Sequence, residues 1–127
     1  MKETDTGATI RVYTDGAGQR PDGKASGLAW FREDTSEKHV ELIDGLTNNV
    51  AEYKAVISAL RQLPDHINVE IFTDSLLVVS QLSGEYRILD PKLMKLASEV
   101  KTIVEQKRLT VKFTWVARAE NRAGKLL

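Results

Sequence analysis

The sequence predicts an α/β protein built on a five-stranded mixed sheet flanked by helices, with three antiparallel strands first and parallel crossovers after them. Residues 8–45 hold three short strand-like segments joined by brief polar connections, the pattern of an antiparallel meander. From residue 49 onward helical and extended segments take turns, and a helix between two strands implies a parallel crossover. Length sets the scale: 127 residues, 42% apolar and 28% charged, make one ordinary domain that buries a core without disulfide or metal.

The elements follow in order. Residues 8–15 (ATIRVYTD) form the first strand, with Ile10, Val12 and Thr14 on one face and Arg11, Tyr13 and Asp15 on the other. The next stretch, GAGQRPDGKAS, is rich in turn formers and includes Asp22-Gly23. Residues 27–32 and 38–45 are the second and third strands. Over 49–63 the period changes, with Val50, Tyr53, Ile57 and Leu60 at helical spacing and Pro64 closing the run. VEIFTD (69–74) is a buried strand, and SLLVVSQLSG is a short helix ended by Gly84. PKLMKLASEVKTIVEQK carries Pro91 in its first turn and Leu93, Leu96, Ala97, Val100 and Val104 on one stripe, an amphipathic helix. TVKFTWV (110–116) is the last strand, with Val111, Phe113 and Trp115 alternating. Residues 1–7 are expected to form a disordered tail, and the whole chain a single domain.

Composition removes several functional classes. There is no cysteine, which excludes a disulfide framework, a thiolate metal site and a cysteine nucleophile. No apolar run approaches the ~20 residues of a membrane span, and the N-terminus has no apolar leader core. A cytoplasmic protein with no membrane partner is expected. Net charge is zero, which argues against a generic nucleic-acid coat protein. The charge is uneven, however. Residues 87–127 hold ten Lys/Arg against four Asp/Glu, and residues 1–86 hold eight against fourteen. An acidic site beside a basic surface suits a metal-dependent enzyme acting on a polyanion, although solvated charge also segregates by chance.

Within this frame one local similarity carries chemistry. The first strand ends VYTD and the fourth ends IFTD. Ligand sites in open α/β sheets form beyond the carboxyl ends of strands, so parallel neighbours would present Asp15 and Asp74 side by side. Glu52, near the start of the first helix and just off its apolar stripe, is the third carboxylate. Neighbouring carboxylates repel, and a divalent cation is the usual remedy. An oxygen-only donor set points to Mg²⁺ or Mn²⁺ rather than zinc. Such clusters typically serve phosphoryl transfer with two metals ~4 Å apart. Each residue also has a structural reading: Asp15 as a turn residue before Gly16, Asp74 as a helix cap, and Glu52 as the capping-box partner of Asn49. His39 and His66 lack a partner pattern and read as surface or strand positions.

Three stretches, TDGAG at 14–18, LTNNVAEYKAVISAL at 46–60 and IFTDSLLVVSQLSGEYRI at 71–88, resemble ribonuclease HI. The resemblance runs from about residue 8 to the end. It is strongest to compact archaeal-type and bacterial members that lack the extra basic helix. It implies the RNase H-like fold, and endonucleolytic cleavage of the RNA strand of RNA/DNA hybrids by a monomer using two Mg²⁺ (or Mn²⁺) ions. Asp15 matches the family's metal-bridging Asp, and Glu52 and Asp74 match the pair that holds the metal nearer the leaving oxygen. Thr47, Asn48 and Asn49 match the run that contacts the DNA strand. The backbone of Gly16, Ala17 and Gly18 matches the segment that approaches the RNA 2′-hydroxyls, a group that distinguishes RNA from DNA. Arg118 is likewise implied in substrate binding.

The C-terminal stretch departs from the family pattern. Family members end in a motif like WVPREENxxADxLA, whereas this chain reads WVARAENRAGKLL. Trp115, Val116, Arg118, Glu120, Asn121, Ala123 and Leu126 hold the register, but Gly124 stands where the fourth catalytic Asp belongs. The terminal helix is expected to be short or absent. Three readings stay open: a weakened RNase H in which water or Glu120 completes the metal shell, a catalytically impaired RNA/DNA hybrid-binding module, and an introduced change at residue 124.

Overall fold

The computed structural model describes residues 8–19 and 26–127. The expected tail at 1–7 and most of the turn-rich connection, including Asp22-Gly23, lie outside the described residues. The elements are β1 (Thr9–Ala17), β2 (Gly27–Arg32), β3 (Glu37–Leu42), α1 (Asn48–Arg61), β4 (Asn68–Thr73), α2 (Leu76–Leu82), α3 (Pro91–Lys107) and β5 (Thr110–Trp115). Two 3₁₀ turns follow, Arg118–Glu120 and Gly124–Leu126.

The five strands form one mixed sheet in the order β3-β2-β1-β4-β5. β1 pairs antiparallel with β2 and parallel with β4, and β5 adds parallel to β4. The antiparallel meander and the crossovers are those the sequence predicts. β1 runs two residues beyond its expected end, because Asp15, Gly16 and Ala17 still pair with Ala29, Leu28 and Gly27 of β2. α1 is bounded by Thr47, whose hydroxyl accepts from the Val50 amide at 3.3 Å. Ser75 caps α2, accepting from the Val78 amide, and Asp90 caps α3, accepting from Lys92 ahead of Pro91.

The helices build the core against one face of the sheet. α1 packs on β1 and β2 and against α3, while α2 lies over β4 and β5. Val12, Trp30, Val69 and Ile71 from the sheet meet Tyr53, Val56, Leu60, Val78, Leu93 and Val100 from the helices, all buried. Trp115 does not continue the apolar alternation of β5 into the core. It is half-exposed at the strand end, and its indole N–H donates to the Asp74 carbonyl at 3.2 Å. On the other face Tyr13 stacks on Phe72 at 4.9 Å, and the Arg122 guanidinium lies 4.3 Å from the Phe31 ring centroid. His39 stacks on Trp30, and among the described residues neither histidine joins a metal-ligating group. Among the described residues no helix is long and apolar enough to cross a membrane.

Candidate active site

Register places the acids. Val12 faces Ile71 and Tyr13 faces Phe72 across the β1–β4 pair, so VYTD and IFTD run in step. Asp15 and Asp74 are therefore equivalent positions just beyond the last paired residues, where the two parallel strands part. Glu52 comes from the second turn of α1, which lies over β1. Asp15, Glu52 and Asp74 each offer a carboxylate oxygen within 4.8 Å of the others. No other group of three potential metal ligands converges this way among the described residues.

The structural readings of the three acids fail in turn. Asp15 lies inside β1 rather than in a turn. Ser75, not Asp74, caps α2. Thr47, not Asn49, caps α1, which takes Glu52 out of the capping-box position. Glu52 is buried and accepts from the Gly16 amide through Oε1 at 2.7 Å. A buried carboxylate without a cation partner is costly, so its placement calls for an explanation outside helix capping.

The charge state shows the same strain. Burial and the adjacent Asp15 carboxylate push Glu52 up to about 8, and burial and Asp74 push Asp15 up to about 6, with Arg118 opposing the rise. Both carboxyls therefore hold protons more tightly in the folded than in the unfolded chain. The stability they contribute is full below their ordinary values of 3.8 and 4.5 and is lost as pH rises through about 6 and about 8. In EDTA the melting temperature is expected to fall between pH 5 and pH 8.5, and Glu52→Gln should flatten that fall. A flat profile for the unsubstituted protein would contradict the buried, repelling arrangement. Added Mg²⁺ should restore stability most at the alkaline end, where the carboxylates are free to bind it.

Around the acids is a cleft of about 390 Å³, lined by Asp15, Gly16, Ala17, Asn48, Asn49, Glu52 and Arg118. Thr47 sits at its margin as the α1 cap. Gly18 is buried beneath it and donates its amide to Asn48 Oδ1 at 2.8 Å. The two glycines have a packing reason that the sequence did not reveal. A Cβ on Gly16 would sit 2.3 Å from the Ala51 carbonyl carbon, and one on Gly18 would sit 2.5 Å from the Asn48 nitrogen. Glycine here lets the end of β1 lie directly against the backbone of α1. Glu120 is exposed on the first 3₁₀ turn and is not among the converging carboxylates. Gly124 faces the site: a Cβ there would lie 3.6 Å from Asp15 Oδ2, an ordinary contact.

The RNase H family model matches residues 7–121. The chain belongs to the RNase H family. The match ends three residues before Gly124. The solved RNase H1 from compost metagenome, LC11, in complex with an RNA/DNA hybrid superposes with a TM-score of 0.80 at 31% identity, covering 92% of each chain. RNase H1 of Halobacterium salinarum gives 0.79 at 28% identity over 94% of each chain. In sequence, "Bifunctional protein Rv2228c" of Mycobacterium tuberculosis is 30% identical over 88% of this chain, and "Ribonuclease HI" of H. salinarum is 33% identical over 73%. This RNase H chain spans about a third of the mycobacterial protein's length and about half of the halobacterial one. Five strands with three helices on one face agree with the RNase H-like fold of these neighbours.

One buried residue at the site is not apparent from the sequence. Asn121 was noted only as holding register, yet it is fully buried and its Nδ2 donates to Asp74 Oδ2 at 3.3 Å and to the Thr14 carbonyl at 3.0 Å. A single asparagine in a polar stretch without periodicity gives no signal of burial. Its only cue was its place in the C-terminal motif.

Proposed function

We propose that this chain cleaves the RNA strand of RNA/DNA hybrids endonucleolytically, leaving 3′-hydroxyl and 5′-phosphate ends. The observation that carries the reading is the convergence of Asp15, Glu52 and Asp74 at the parting of β1 and β4, in a chain of the RNase H family. A solved neighbour holding an RNA/DNA hybrid supports the substrate class. The donor set suits a hard divalent cation: three carboxylates, all oxygen, crowded enough to repel one another when no cation lies between them. Asp15, Glu52 and Asp74 would hold Mg²⁺ or Mn²⁺, with two ions expected alongside substrate. A bound ion supplies Lewis-acid polarisation of the scissile phosphate and an acidified water. All three carboxylates come from one chain, so the triad itself does not require a second subunit.

The protein's own groups do the rest. Asp15 lines the cleft and would contribute to holding both ions. Arg118, which faces Asp15 electrostatically, supplies positive charge for a phosphate. Asn48 spends its Oδ1 on Gly18, which leaves its Nδ2 donors for the DNA strand. Thr47 accepts from Val50 and can still donate its hydroxyl proton to a phosphate. Asn49 lines the same wall. The Gly16 and Gly18 amides are taken by Glu52 and Asn48, so approach to the RNA 2′-hydroxyls falls to the remaining backbone of this segment, Ala17 included. Glu120, the one acid of the first 3₁₀ turn, would have to move in from its exposed position to complete the shell that Gly124 leaves short.

A labelled RNA/DNA hybrid should be cut in Mg²⁺ and in Mn²⁺, while double-stranded DNA, double-stranded RNA and single strands should survive. Equal cutting of double-stranded DNA would overturn the substrate assignment. Gly124 favours one alternative, a hybrid-binding module without turnover. That would appear as salt-dependent hybrid binding with no cleavage in either metal.

A further inference from the structure

Asn121 is the one fully buried side-chain amide among the described residues, and its hydrogen-bonding groups are spent in three places. One Nδ2 hydrogen goes to the carbonyl of Thr14, the residue before Asp15, and the other to Asp74 Oδ2. Oδ1 accepts from the Ala123 amide at 3.1 Å, and the Asn121 carbonyl accepts from the Gly124 amide at 3.1 Å. A purely structural role needs only the first and third of these, which tie the C-terminal turn to β1. The bond to the Asp74 carboxylate adds something else: it restricts the rotation of one acid relative to the strand that carries another.

We propose that Asn121 is a positioning residue of the divalent-cation site, a single amide that fixes the Asp74 carboxylate against β1 beside Asp15 and anchors the turn that presents residue 124. The inference rests on the reading that Asp15, Glu52 and Asp74 hold the cation. Groups that orient a ligating carboxylate without touching the ion typically change metal affinity 10–100-fold. No other side chain can replace this set of bonds. Aspartate lacks the two donors, and the serine hydroxyl can still accept from the Ala123 amide but is too short to reach Asp74.

The test is Mn²⁺ titration calorimetry on the unsubstituted chain, Asn121→Ser, Asp74→Asn and the double variant, with melting temperatures in EDTA. Asn121→Ser is expected to weaken Mn²⁺ binding about 10-fold or more at a temperature where it is fully folded. In the Asp74→Asn background the same change should have little further effect, because the bond it removes orients a ligand already lost. Unchanged Mn²⁺ affinity in folded Asn121→Ser, or fully additive losses, would overturn the role of Asn121 and leave the site reading intact. An unsubstituted chain that binds no Mn²⁺ would overturn both. If the serine variant does not fold, the Asn121 side-chain amide resonances of the ¹⁵N-labelled native chain decide. They should shift in step with Mg²⁺ occupancy, and resonances that stay still at saturation would refute the proposal.

Discussion

Replacing Asp15 with asparagine is expected to lower hydrolysis of an RNA/DNA hybrid on the order of 10³-fold or more and, in the same variant, to raise the melting temperature of the metal-free protein at pH 8. The two effects share one cause. Asp15 lines the cleft beside Glu52 and Asp74, and its carboxylate would help to hold more than one cation. Losing its charge removes several kcal/mol of charge stabilisation at the reacting phosphate, and 10³-fold corresponds to about 4 kcal/mol. In the metal-free chain that same charge is a burden, as its pKa of about 6 records. The amide keeps the shape and removes the repulsion. Cleavage rates under saturating Mg²⁺ and thermal melts in EDTA measure the two halves. Full activity in the variant would remove Asp15 from the chemistry, and a lower melting temperature would contradict the repulsion.

Gly124→Asp should raise the cleavage rate on the order of 10²-fold, close to the contribution of one well-placed charged group to a transition state. Three features of the position support the gain. Its backbone is not left-handed, so an L side chain is not strained there. A Cβ would meet Asp15 Oδ2 at 3.6 Å, in contact without a clash. The Asn121 carbonyl holds the Gly124 amide, which fixes the direction of the new side chain. The variant should also melt lower than the native chain in EDTA, since a further negative charge joins the cluster, and higher in Mg²⁺. Single-turnover kinetics would separate a faster chemical step from tighter substrate binding. A rate unchanged in both metals would mean that the glycine is not what limits this site.

Much of the site was legible because it rests on short-range patterns that the fold keeps. The VYTD/IFTD similarity was informative since Val12 pairs with Ile71 and Tyr13 with Phe72, so two like sequences end at the same height in the sheet. The mixed character of the sheet followed from helix placement. Glu52 could not be settled on sequence, because a helical Glu three residues after Asn49 fits a capping role equally well. Only the capping of α1 by Thr47 removes that alternative. The end of β1 was misjudged for a related reason. Gly16 and Ala17 look like turn formers, yet pairing with Leu28 and Gly27 carries the strand through them. Trp115 fits an alternating strand, but alternation says nothing about where the helical layer stops covering it. Asn121 stayed out of view since its burial depends on β1, the end of β4 and the C-terminal turn meeting, which no local pattern reports.

The contact between Gly16, Gly18 and the first turns of α1 has a bearing on evolutionary tolerance. The separation of Asp15 from Glu52 is set by two stretches of main chain touching, with no apolar side chain interposed. A single methyl at residue 16 would lift α1 from β1 and move both catalytic candidates at once. Sequence variation in descendants of this chain should accordingly be nearly absent at the two glycines.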